Sequence, residues 1–204
     1  MSNFASEFWN ERYSSGDYIY GTEPNQFFKQ QLDKISASGK LLLPGEGEGR
    51  NAVYAAKLGW QSDAFDQSPN ARNKALKLAE ENKVNINYSI ADLNKFIPGK
   101  NHYDVAAIIF VHLGEDLRNT FYTKMIDSLK PGGKIILELF SKDQLGKSSG
   151  GPQDLAMLCS LDEIKKNFSG LKTILLKEEI VFLDEGDKHR GEANVVRFIG
   201  QKIK

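Results

Sequence analysis

The chain has 204 residues, 40% of them hydrophobic, enough for one domain with a sizeable core. Its 27 Lys and Arg balance its 27 Asp and Glu, so the formal net charge is zero and no global basic field exists to hold a nucleic-acid backbone. No apolar run reaches the ~18 residues of a membrane span. The opening MSNFASEFWNERY lacks the basic start and apolar stretch of a signal peptide. Cys159, the single cysteine, excludes an intrachain disulfide and a Cys-based zinc cluster, and points to a reducing, cytoplasmic setting.

In chain order, Leu41–Leu43 reads as a buried strand. The turn Pro44-Gly45-Glu46-Gly47-Glu48-Gly49 follows, and then helix-forming sequence from Arg50. Ser62–Phe65 is a second strand ending at Asp66. Ser68-Pro69 caps a helix, with Ser as N-cap and Pro in the first turn. Ile86–Ile90 alternates as a third strand, leading to Ala91-Asp92-Leu93. Val105–Val111 is wholly apolar, as expected of a parallel strand buried on both faces. A helix over Glu115–Leu129 stops at Lys130-Pro131-Gly132-Gly133, and Lys134–Phe140 is the fifth strand. Ser141–Ser160 is too long for a plain connector and reads as a possible lid loop. Ser160–Phe168 is a short helix. Thr173–Leu183 and Asn194–Ile203 form a strand pair joined by Asp184–Ala193, hence an antiparallel hairpin. The expectation is a single α/β domain over 1–204 with a mostly parallel seven-stranded sheet and helices on both faces.

The turn carries the chemistry. Its glycines permit positive φ and close backbone approach to a ligand. A dinucleotide fingerprint needs G-x-G-x-x-G, and Arg50 stands at the sixth position. G-x-G-x-G is commoner at S-adenosylmethionine sites, where the methionine carboxylate can lie near the free N–H groups of the following helix. Asp66, after the second strand, could accept hydrogen bonds from ribose hydroxyls or simply cap the next helix. Asp92 could accept from an adenine amino group or open a turn. His112, beyond the fourth strand, could line a substrate pocket or be hydrogen-bonded in place. Val111 is a pocket wall or core. The charge-rich EGDKHRGE, from Glu185 to Glu192, reads either as a solvated hairpin tip or as a cluster for an anionic ligand.

Four segments, FWNERY, GEGEGRNAVYAAKLGW, the later FD and ADL, and EGDKHRGEANVVRFIG, resemble the class I S-adenosylmethionine-dependent methyltransferases. The similarity is in particular to the tellurite-resistance and thiol-methyltransferase-like group. It covers nearly the whole length and implies that group's Rossmann-like sheet and S-adenosylmethionine as cofactor. Trp9, Arg12, Gly45, Glu46, Gly47, Asn51, Asp66, Gln67, Asp92, Leu93 and Val111 would line the cofactor site, with residues 1–35 as a cap. His189, Arg190, Arg197 and His112 would serve a small acceptor such as a chalcogen oxyanion or thiol. No metal, nucleic acid or membrane is implied, and the protein would be a monomer or homodimer. Two places depart from the group. Leu43-Pro44 stands where an acidic residue is frequent, and Glu46 where a Cys is common. The alternatives are an NAD(P)-dependent oxidoreductase, which leaves the absent third glycine and the hairpin unexplained, and a non-catalytic S-adenosylmethionine-binding protein.

Overall fold

Seven strands hydrogen-bond in the order β3-β2-β1-β4-β5-β7-β6. The computed structural model describes residues 2–35 and 39–203, with side chains described from Ser6 onward. The chain divides into two compact units, one comprising residues 1–96 with Glu185–Asp187, the other Ile97–Asp184 with Lys188–Lys204.

The first unit holds α1 (Ser2–Arg12), α2 (Gln26–Leu32), β1 (Lys40–Pro44), α3 (Arg50–Lys57), β2 (Gln61–Asp66), α4 (Pro69–Glu81) and β3 (Asn87–Ile90). β1, β2 and β3 run parallel, with Leu42 beside Asp63 and Asp66 beside Ile90. Leu41, Leu42 and Leu43 are fully buried, each contributing about 1.5–3 kcal/mol of transfer free energy. Pro44 ends β1, where its missing N–H costs little. Ser68 caps α4 as expected, accepting the Ala71 N–H at 3.1 Å. Val53 of α3 packs on Leu78 and Ala79 of α4.

The second unit holds β4 (Tyr103–Ile109), α5 (Glu115–Ser128), β5 (Leu129–Phe140), α6 (Leu161–Asn167), β6 (Leu171–Asp184) and β7 (Arg190–Lys202). β5 runs parallel to β4 and antiparallel to β7, and β6 pairs with β7, also antiparallel. Three elements differ from expectation. β4 stops at Ile109 because Phe110 turns to φ 52°, so His112 lies three residues past the strand. β5 begins at Leu129 rather than Lys134, because Leu129 pairs with Tyr103 and the Lys130–Gly133 stretch bulges between two paired positions. The hairpin strands are longer than predicted, leaving Glu185–His189 as their connection and placing Arg190 on β7 opposite Asp184. Ser160 closes a capping box with Glu163 at the start of α6.

Candidate functional site

All three motif glycines adopt left-handed φ, at 58°, 63° and 89°. Gly49 is obligatory, because a Cβ there would stand 2.6 Å from the Ala75 Cβ. α3 and α4 therefore meet at backbone distance. Gly47 is held from three sides. Its N–H donates to Asp66 Oδ2 at 3.2 Å, its carbonyl accepts the Tyr88 hydroxyl at 2.5 Å, and a Cβ would meet the Tyr13 hydroxyl at 2.8 Å. Tyr88 had no sequence signal beyond its place in a strand.

The polar residues of the motif each fasten a different piece of chain. Glu46 accepts the N–H groups of Asn51 and Ala52, both at 2.8 Å, and the Asn51 side-chain amide at 3.3 Å. The α3 N-terminus, where the sequence suggested a ligand carboxylate, thus receives the protein's own carboxylate. Burial raises the Glu46 pKa to about 7 despite these donors. Buried Glu48 accepts the Ile19 N–H at 2.8 Å and pairs with Lys74 at 2.8 Å. Buried Arg50 donates to the Tyr20 carbonyl at 3.1 Å and pairs with Glu185 at 2.7 Å. Asn51 accepts the Asn25 N–H at 2.9 Å, and the Asn25 amide donates to Glu185 at 2.9 Å. Within EGDKHRGE, Glu185 is therefore a buried structural partner, a role that only the fold reveals.

α1 is anchored at the start of α4. Asn10 Oδ1 accepts from the Ser68 hydroxyl at 2.9 Å and the Asn70 N–H at 3.0 Å. Trp9 stacks on Tyr13, with ring centroids 5.6 Å apart. The Arg12 guanidinium lies 5.3 Å from the Trp9 ring and donates to the Tyr20 hydroxyl at 3.2 Å. Tyr13 is buried, and burial together with the nearby Asp66 carboxylate holds its hydroxyl pKa well above the ordinary value.

Asp66 is buried at the C-terminal end of β2. Its two oxygens take the Gly47 N–H and, at 2.9 Å, the Ser68 N–H, while burial raises its pKa. Among the described residues, no cation pairs with it. Gln67 is half-buried, and its carbonyl accepts the Ser6 hydroxyl at 3.4 Å. Asp92 accepts the Asn94 N–H at 2.8 Å in an Asx-type turn, with Leu93 half-buried within it.

In the second unit, His112, Phe110, Phe140 and His189 form one ring cluster. Phe140 stacks on Phe110 at 4.5 Å and on His112 at 5.4 Å, and His189 stands edge-on to Phe110 at 4.7 Å. Both His112 nitrogens meet backbone: Nδ1 lies 3.1 Å from the Met157 carbonyl and Nε2 accepts the Phe140 N–H at 3.4 Å. Burial depresses the His112 pKa to about 3. A proton-transfer role for His112 gives way to this structural one. Val111 is buried beside it. Arg190 is 70% exposed and lies 3.7 Å from Asp184. Arg197 is engaged by two carboxylates, Glu138 on β5 and Glu179 on β6. This corrects its expected place beside Arg190 as an anion holder, because its charge is already met within the sheet. The 141–160 segment is fastened to β7: Gln144 Oε1 accepts the Asn194 N–H at 2.8 Å and the Ser149 hydroxyl donates to the Glu192 carbonyl at 2.6 Å.

Residues 42–133 match the family model described as "Methyltransferase domain". That segment, a little under half of the chain, is similar to the methyltransferase family. A curated relative is the Haemophilus influenzae protein named "Probable S-adenosyl-L-methionine-dependent methyltransferase TehB", 22% identical over 173 residues. That match covers 84% of this chain and 56% of the relative, so the chain spans about half the length of the curated relatives it matches. The crystal structure of TehB from the same organism superposes with TM-score 0.73 at 19% identity, over 97% of this chain and 66% of TehB. A protein described under conversion of a disulfide bond into a thioacetal group during echinomycin biosynthesis gives TM-score 0.77 at 15% identity, covering 98% and 92% of the two chains. NodS from Bradyrhizobium japonicum WM9, an N-methyltransferase solved with S-adenosyl-L-homocysteine, gives 0.72 at 14%, covering 98% of both. The chain thus shares the Rossmann-like fold of these structures, with an antiparallel hairpin after the parallel strands.

Proposed function

We propose that this protein is an S-adenosylmethionine-dependent methyltransferase acting on a small nucleophilic acceptor in the cytoplasm. The observation that carries the reading is Asp66, a buried carboxylate at a strand's C-terminal end with backbone donors and no cation. Burying such a charge is costly unless a ligand completes its hydrogen bonding. A carboxylate has about four lone-pair sites, so the backbone N–H groups of Gly47, Ser68 and Gln67 leave acceptor capacity for a ribose hydroxyl. The left-handed Gly45 of the turn beside it fits the same ligand, since a glycine there sets no side chain of its own against an approaching group.

When bound, S-adenosylmethionine supplies an electrophilic sulfonium methyl group. Asp66 would hold the ribose hydroxyls, and Asp92 and Leu93 would receive the adenine. Gly45, Gly47 and Asn51 would shape the amino-acid end, and Trp9 and Tyr13 would keep water away. Gln67 and Arg12 would border this site, and Glu46 acts by fixing α3. Positioning alone can contribute roughly 7–11 kcal/mol in such a transfer.

For the acceptor, we favour a chalcogen oxyanion or an ionised thiol. The support is the TehB relative and exposed Arg190, which has a guanidinium suited to an oxyanion. Such acceptors need no strong base, which agrees with a His112 whose nitrogens are both occupied. Titration calorimetry with S-adenosylmethionine, S-adenosylhomocysteine and NAD tests the cofactor. Binding of the first two and not the third is expected, and NAD binding alone would overturn the reading. Methyl-transfer assays against tellurite, selenite, thiols and amines then test the acceptor, and turnover of amines alone would exclude the class favoured here.

A further inference from the structure

β6 ends the sheet, and at 14 residues it is far longer than the usual ~5–6-residue strand. Long bare edges invite pairing with another chain, and proteins usually blunt them. Here the one interruption is the bulge at Ile174, between Thr173 and Leu175. From Leu175 to Asp184 the ladder to β7 is regular. On that stretch Leu176, Glu178, Ile180 and Phe182 share a face, and Leu175, Lys177, Glu179 and Val181 the other. Ile180 is 63% exposed, Phe182 71%, and Ile174 51%. Among the described residues, β7 is the only strand that pairs with β6.

We propose that β6 is a homodimer interface, pairing antiparallel with β6 of a second copy about a two-fold axis through Glu178. Edge-to-edge antiparallel pairing must join like faces, so residues an even number apart lie opposite each other. With the axis at Glu178, Lys177 faces the partner's Glu179, Leu176 the partner's Ile180, Leu175 the partner's Val181, and Phe182 the partner's Ile174. From Leu175 to Val181 every charged side chain but Glu178 then meets its opposite, so that the Lys177–Glu179 pair present within each protomer is shared with the partner's, and every apolar one meets an apolar one. Moving the axis to Lys177 sets Leu176 against the partner's Glu178, and moving it to Glu179 sets Glu178 against the partner's Ile180. The strand is therefore self-complementary in one register. A second copy fits it better than an unrelated strand, because the charge order Lys177–Glu179 is its own complement.

Sedimentation equilibrium and oxidative cross-linking test this on the whole chain. The wild type is expected to be a dimer. The Ile180→Lys/Phe182→Lys double variant should be a monomer that still unfolds in one cooperative transition, since both side chains face solvent in the protomer. Glu178→Gln removes the one like-charge contact and should tighten the dimer roughly two- to five-fold. Glu178→Cys, oxidised with copper–phenanthroline, should cross-link through the residue on the axis, while Asp184→Cys should not. Cys159 is buried and does not compete. A wild type that stays monomeric at high micromolar concentration would overturn the proposal. So would a dimer that Glu178→Cys fails to cross-link, because that dimer uses another face.

Discussion

The carboxylate of Glu46 accepts the backbone N–H of Ala52 at 2.8 Å, and so closes the N-terminus of the helix that follows the glycine turn. The turn and the helix are one unit as a result. A change in the charge of Glu46 acts on both. Burial sets its folded-state pKa at about 7 against an ordinary 4.5. The folded state therefore binds the proton more tightly, and this group's contribution is present in full below pH 4.5 and lost as pH rises through 7. Glu46→Gln should flatten that part of the profile. Urea denaturation of both proteins from pH 4.5 to 8 checks it, and parallel curves would contradict the assignment.

His112 has the opposite sign. Its folded pKa of about 3 lies below the ordinary 6.5, so its contribution is present above pH 6.5 and lost as pH falls toward 3. His112→Leu should remove that acid-side loss while costing about 1–3 kcal/mol overall, because the Phe140 N–H and Met157 carbonyl lose their partner. The same denaturation series reads both effects. An ionisation near neutral pH in the methyl-transfer profile that disappears in this variant would return His112 to a catalytic role.

Asp66→Asn should weaken S-adenosylmethionine binding by about 1–3 kcal/mol, since a charged acceptor becomes a neutral one. Asp66→Ala should do the same and also cost about 1–2 kcal/mol of fold stability, because the buried N–H groups of Gly47 and Ser68 lose their acceptor. Calorimetry and thermal unfolding separate the two effects.

Gly49→Ala should destabilise by about 3 kcal/mol or more. The added methyl meets the Ala75 Cβ and backbone in a left-handed conformation that alanine disfavours. A melting temperature within a degree of wild type would show that α3 and α4 can separate at little cost.

Arg197→Met should cost about 3 kcal/mol by removing the guanidinium that the buried Glu138 carboxylate faces, whereas Arg190→Ala should change stability by less than about 1 kcal/mol. If Arg190 holds an anionic acceptor, its variant loses methyl transfer with normal cofactor affinity and stability. Normal transfer by Arg190→Ala would leave the hairpin tip as solvated surface.

Elements governed by local pattern were legible in the sequence. The Leu41–Leu43 strand announces itself by burial on both faces, Ser68-Pro69 by cap chemistry, and the hairpin by alternation. Long-range or backbone-specific features were not. Nothing local marks Phe110 for positive φ. Pro131-Gly132-Gly133 reads as a stop when it is a bulge. Glu46 caps α3 from four residues ahead of Arg50, across two glycines, where cap rules do not look. Arg197 resembles a free cation until strands 59 and 18 residues away supply Glu138 and Glu179. Around the glycine turn, the positions of Asp66 and the glycines were legible because strand ends and turns have signatures, while Tyr88 and Glu185 depend on tertiary placement.

The Arg50–Glu185 pair joins residues 135 positions apart. On a ribosome, the first 96 residues emerge with β1, β2, β3 and their helices in hand but without Glu185. Until the hairpin is made, Arg50 and Asn25 have no acid between them, and residues 19–25 are held from one side only. The unit built on β1, β2 and β3 is thus assembled first and locked only later, by a contact whose closure entropy is met once Glu185 has been made. A chain cut before Glu185 should show residues 19–25 as the first part open to proteolysis.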